Sequence, residues 1–148
     1  MVKKFIVVSA AFCFAATGAF AIVSNATVSW DAPAAISGDT DVTTDGSLVA
    51  AFNMIGGAVT VNSVPFASFP ATSLTTSTTD GNFTFTESPG HLIADNNLGS
   101  SQSPFSNLSS NYKTLLGSAL DTDENNTLTL TISGLVVGQQ YEFQMVGQ

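Results

Sequence analysis

The chain has 148 residues, with 11 acidic against 3 basic side chains and a formal net charge of −8. So acidic a chain repels nucleic acid, which is bound by displacing counterions with several Lys or Arg, and anionic membrane surfaces repel it too. A single cysteine excludes a disulfide framework, and one cysteine with one histidine excludes the usual zinc sites.

The first residues carry a targeting pattern. Lys3 and Lys4 make a short positive head, and residues 5–16 form an apolar run of about a dozen residues. Ala19-Phe20-Ala21 then places small residues at the two positions a signal peptidase reads. The run is short for a bilayer span, and Ser24-Asn25 follows almost at once. Residues 1–21 therefore read as a cleaved signal peptide outside the fold, and 22–148 as one domain of ordinary size. Cys13 is no lipid-anchor site, because Phe12 stands where a small residue is required. Cleavage leaves Lys113 as the only basic residue, so no membrane insertion and no nucleic-acid partner are expected afterwards.

In chain order, residues 26–30 (ATVSW) read as a first strand, ended by Asp31-Ala32-Pro33. A loop over residues 34–45 carries Asp39, Asp41 and Asp45. Residues 47–54 (SLVAAFNM), apolar on both faces, read as a central strand broken by Gly56-Gly57. Residues 59–61 and 64–66 are short strands around an Asn62-Ser63 turn, with Pro65 confined to an edge or a strand start. Residues 72–80 (TSLTTSTTD) read as an exposed low-complexity loop. Residues 82–87 alternate, with Phe83 and Phe85 inward. Residues 88–102 lack any period and read as a long loop.

The period then changes. Phe105, Leu108, Tyr112, Leu115 and Leu116 follow the spacing of an amphipathic helix. Ser103 is placed to cap it, with Pro104 at its first position. Residues 127–146 return to period two: Leu128, Leu130 and Ile132, then Tyr141, Phe143 and Met145. The connection between these two runs is too long for a tight hairpin and is expected to make a corner. Leu135 or Val137 would tuck inward there, and Gly138 would turn the chain. Two strands with one apolar face each need a facing sheet. The expected class is mainly β: a jelly-roll-like antiparallel β-sandwich with one short helix. Because alternation still runs at Met145, the domain is expected to be incomplete at its C-terminal end.

Several segments come in a recognisable order: Val28-Ser29-Trp30, residues 36–53 (ISGDTDVTTDGSLVAAFN), VNSVPF, SPFSNLSSNYKTLL and LTLTISGLVVGQQYEFQM. Together they resemble a group of exported bacterial β-sandwich proteins, many of which end in a PEP-CTERM-type sorting tag. The resemblance implies a secreted or cell-surface bacterial protein, with a sandwich akin to carbohydrate-binding jelly rolls. No Pro-Glu-Pro, apolar span or basic tail follows Met145 within these residues.

Catalytic chemistry finds little purchase. His91 and Asp95 lie in a stretch read as loop, without a Gly-x-Ser-x-Gly elbow. Glu87, Asp121, Asp123, Glu124 and Glu142 offer carboxyl pairs for glycoside hydrolysis, but the adjacent acids at 123 and 124 read as solvated turn residues. Calcium is the one cofactor with a physical case. Asp121-x-Asp123-x-Asn125 and Asp39-x-Asp41 present alternate oxygens that could form a site from two loops. The competing reading makes these residues turn formers. Asn126 stands where an EF-hand needs its glycine and Ile132 where it needs its last carboxylate, so that motif is absent. Asn-x-Ser/Thr triplets at Asn25, Asn82, Asn107 and Asn125 are weak evidence for glycosylation in a chain so rich in Ser and Thr. Trp30, Phe69 and Tyr112 are candidate sugar platforms, with core packing the commoner fate of Trp30 and Tyr112. The expected function is a non-catalytic structural or adhesion domain. The alternative is a carbohydrate-binding module, and an enzyme comes third. Extracellular polysaccharide and other surface proteins are the expected partners.

Overall fold

Alternating apolar positions decide where each strand sends its side chains. The computed structural model describes residues 4–9, 29–70, 75–95, 98, 105–122 and 126–147, and for 4–9 the backbone path alone. The protein is mainly β, as the alternation requires. Its strands are β1 (Lys4–Ser9), β2 (Ser47–Met54), β3 (Val59–Val61), β4 (Val64–Phe69), β5 (Ser77–Asp80), β6 (Phe83–Ser88), β7 (Ile93–Asp95), β8 (Ala119–Asp121), β9 (Thr127–Ile132) and β10 (Tyr141–Val146). One α-helix, α1 (Ser110–Leu116), precedes β8. A five-stranded sheet runs β10-β1-β2-β4-β3, a three-stranded sheet β5-β6-β9, and β7 pairs with β8. The two smaller sheets and the β3–β4 hairpin are antiparallel, whereas β1 runs parallel to both its neighbours and β2 runs parallel to β4.

Period two puts two different cores on the two faces of the large sheet. Phe52 and Met54 of β2 and Phe69 of β4 meet Phe83 and Phe85 of β6, with Leu128, Leu130 and Ile132 of β9 closing over them. This face-to-face packing of two sheets is the sandwich layer. Phe69 stands at its centre, edge-on to Phe52 at 5.0 Å and to Phe85 at 5.2 Å between ring centroids. On the opposite face, Ala51, Val61, Val64, Phe66 and Val146 pack against Tyr112, Leu115 and Leu116 of α1 and against Val42. The helix lies over the edge strand β3, where Asn111 Nδ2 donates to the Thr60 carbonyl at 2.9 Å.

Several local expectations change. Ser29 and Trp30 are not in a strand, and residues 26–28 lie outside those described. The helix starts later than its apolar spacing suggested: Phe105–Asn107 form a single 3-10 turn, and the Ser109 hydroxyl caps α1 by accepting from Tyr112 N at 3.1 Å. Ser103 and Pro104 lie outside the described residues. Part of the supposed Thr-rich loop is β5, whose Thr78 and Thr79 pair with Phe85 and Thr84. Its hairpin turns on Gly81-Asn82, with Gly81 at φ 54°, and that Gly-Asn step between two runs is the signal that would have found it. Part of the aperiodic stretch is β7, three residues long and too short to show a period. Pro65 is tolerated because β2 pairs only with Ala67, Ser68 and Phe69 of β4.

The corner over residues 133–140 carries the chain from the small sheet to the large one, so β9 and β10 never pair. Gly134 and Gly138 take φ of 71° and 81°, where a side chain would be strained. Neither Leu135 nor Val137 tucks inward; both are exposed, because the corner is spanned by its own hydrogen bonds rather than by an apolar plug. A larger difference concerns the N-terminus. Lys4–Ser9, inside the segment read as leader, lies as a strand between β2 and β10. Its Ile-Val-Val content favours extended backbone, and it satisfies the facing ladders of both neighbours.

Candidate functional site

The acidic loop before β2 is a built element. Asp39–Asp41 form a 3-10 turn, and the Asp41 carboxylate accepts from Ser37 N at 2.5 Å, Gly38 N at 2.8 Å and Ser37 Oγ at 2.9 Å. Burial pushes the Asp41 carboxyl up, but these bonds outweigh it and hold the group below its ordinary value. The loop is fastened to β10 by Gln144, whose Nε2 donates to the Asp41 carbonyl at 2.6 Å and whose Oε1 accepts from Thr43 N at 3.0 Å. Asn62 Nδ2 holds the Val42 carbonyl at 2.8 Å. Beneath it, burial and then the charges of Asp41 and Asp39 push the Tyr112 phenol well above its usual range. Asp41 thus spends its oxygens shaping its own loop, the ordinary work of an Asx turn.

The other half of the proposed calcium set is at the end of β8. Asp121 Oδ1 accepts from Thr122 N at 2.7 Å, and Asp123 and Asn125 lie outside the described residues. Among the described residues, no three His, Cys, Asp or Glu side chains converge as a metal-holding group.

Among the described residues, the carboxyl candidates are dispersed by the topology. Glu87 is buried on β6, where its Oε1 accepts from Asn126 Nδ2 at 2.7 Å. A Cβ on Gly90 would stand 2.3 Å from Asn126 Nδ2 and 2.7 Å from Glu87 Oε1, so glycine is required for this closed pair. Asn126 was invisible to sequence reasoning because a lone amide beside a turn carries no pattern. Glu142 lies on β10 in the other sheet, and Glu124 is outside the described residues. His91 is exposed beside Gly90, and Asp95 sits in β7.

Several large apolar side chains also reach the surface. Trp30, expected in the core, is 55% exposed, with its ring edge-on to Phe143 at 6.0 Å. Phe69 and Tyr112 are fully buried, which removes both as sugar platforms. At the tip of the β9–β10 corner, Leu135, Val136 and Val137 are 44%, 60% and 100% exposed. The tip is fixed: Val136 N donates to the Tyr141 hydroxyl at 2.9 Å, and Gln139 N donates to the Val136 carbonyl at 3.1 Å. A shallow open cleft over β3 and α1, lined by Val59, Thr60, Pro65, Phe66 and Asn111, has no charged group. No helix among the described residues is long and apolar enough to cross a membrane. The chain matches no protein-family model, no curated protein and no solved structure.

Proposed function

We propose that this chain is an exported, non-catalytic interaction domain whose contact surface is the Leu135-Val136-Val137 tip. The observation that carries the reading is a consecutive apolar triplet, exposed throughout and fully so at Val137, on a hydrogen-bonded corner between two sheets. Consecutive exposed aliphatic residues cost solubility and are kept where they meet a partner. Export is supported by the charged head, the apolar run and Ala19-Phe20-Ala21. The order of segments shared with exported bacterial β-sandwich proteins points to the same compartment, with surface proteins or extracellular polysaccharide as partners. The test is retention of the fluorescently labelled protein on bacterial cell surfaces. The double substitution Val136→Ser/Val137→Ser leaves the fold intact and is expected to abolish retention. Equal retention of both proteins sinks the reading.

One observation favours a second reading, a carbohydrate-binding module. Trp30 offers an exposed indole braced by Phe143, the geometry on which a sugar ring stacks. Specific binding on a glycan array that is lost in Trp30→Ala, and unaffected by the tip substitutions, would replace the first reading by this one.

A further inference from the structure

The place of β1 in the large sheet is a strand-wide slot. β10 pairs with β1 along six positions, from Lys4↔Tyr141 to Ser9↔Val146, and among the described residues β1 is the only ladder partner β10 has. On its other side β1 pairs with β2, again parallel. The strand in the slot comes from the segment whose sequence marks it for removal on export. Hydrolysis of the Ala21–Ile22 peptide bond by a signal peptidase, consuming one water, would take it away. Both walls would then lose a row of backbone partners, and unmade backbone hydrogen bonds in a sheet interior are costly.

The walls say what kind of strand belongs there. One face of the slot is apolar: Ala50 and Phe52 of β2 and Phe143 of β10 all belong to the sandwich core. Its other face is mixed: Asn53 of β2 with Glu142 and Gln144 of β10 are polar, while Ala51 and Val146 belong to the core under α1. An occupant should therefore alternate apolar with polar. Lys4–Ser9 does not: Phe5, Ile6, Val7 and Val8 are apolar in succession, and Phe5 and Val7 stand in register with Glu142 and Gln144. Residues 22–29 do alternate. Ile22, Ala26 and Val28 share one parity with Ser24, while Asn25, Thr27 and Ser29 share the other with Val23. At about 3.3 Å per residue they are long enough to run the slot. Trp30, the next residue and of the apolar parity, already lies against Phe143 on the apolar wall.

We infer that residues 22–29 take the slot between β2 and β10 once the leader is removed, so that Lys4–Ser9 holds the place of the mature first strand in the precursor. The inference rests on the export reading above. The experiment uses protein exported by a bacterial host, with its N-terminus read by intact mass. In the Val28→Cys variant the processed chain has a single thiol, since Cys13 leaves with the leader. Its labelling by a thiol reagent is expected to be slower than in urea by about tenfold or more, as for a group reached only through opening of a sheet. Backbone amides of 141–146 should exchange slowly in the processed protein and faster by about tenfold or more in Thr27→Pro, whose proline removes a ladder donor. A product still starting at Met1 overturns the export reading and this inference with it. A processed product whose thiol labels as fast as in urea, or whose β10 amides exchange freely, overturns this inference alone. Protection that appears only with concentration-dependent dimerisation gives the slot to a second copy and likewise overturns it.

Discussion

At Gly56 a single added methyl group should be strongly destabilising. A Cβ there would lie 2.2 Å from Asn53 Nδ2 and 2.5 Å from Ser118 Oγ, closer than real Cβ contacts come. Those atoms belong to a buried polar tie. Asn53 Nδ2 donates to the Gly57 carbonyl at 2.9 Å, and Ser118 Oγ donates to Asn53 Oδ1 at 3.1 Å, joining the end of β2 to the residue before β8. Both side chains are buried, so neither can swing into water. Gly56 is not in the left-handed region, and on backbone entropy alone alanine would stabilise by about 0.4–1 kcal/mol. Against that, displacing Asn53 breaks two hydrogen bonds and strands buried polar groups, at about 1–3 kcal/mol per group. The clash wins, and Gly56→Ala should lose about 3 kcal/mol, a large part of the ~5–15 kcal/mol that holds a domain together. Thermal and urea unfolding measure this, with a fall in Tm of roughly 10 °C expected. The decisive arm is a double-mutant cycle. In an Asn53→Ala background the obstructing side chain is gone, and Gly56→Ala should be neutral or slightly stabilising. Equal losses in both backgrounds, or no loss in the native one, would refute the steric argument.

Other outcomes follow from the same structure. Phe69→Ala removes the ring at the centre of the sandwich and should cost about 3–5 kcal/mol by urea denaturation. Ser109→Ala deletes the cap of α1 and should cost about 1 kcal/mol, with the loss concentrated in exchange of the α1 amides. Asp41 has a folded-state pKa below its unfolded value of about 3.9. Its stabilisation is therefore present above that unfolded value and lost as pH falls through the lower folded one. Asp41→Asn should lower stability at pH 7 and flatten the acid limb of the stability profile, whereas an unchanged limb would mean that the Ser37 and Gly38 bonds contribute nothing. Val137→Ser, at a fully exposed position, should shift stability by no more than ~0.5 kcal/mol.

Local periodicity was enough to locate the strands that pack on a core. Residues 83–88, 127–132 and 141–146 alternate because each has one face toward the sandwich, residues 47–54 are apolar on both faces because β2 lies between two cores, and Asn62-Ser63 turns a hairpin at φ of 46° and 65°. The apolar spacing from Phe105 to Leu116 was equally legible, although Ser109 rather than an earlier serine begins the helix. Among the three-residue strands, β3 was legible because the Asn62-Ser63 turn marks its hairpin, whereas β7 and β8 left no trace: they owe their form to pairing with each other, which no window around residue 93 or 119 contains. Nor could alternation tell that β9 and β10 go to different sheets, since period two fixes which way side chains point and not which strand lies alongside. The same limit separates the carboxylates. Asp41 became a loop clasp and Glu87 the partner of Asn126 through contacts made across the fold, at separations a linear pattern does not encode. The exposure of Trp30 and Val137 was decided there too. Hydrophobicity is a property of a side chain, but burial requires a neighbour, and only the tertiary structure supplies or withholds one.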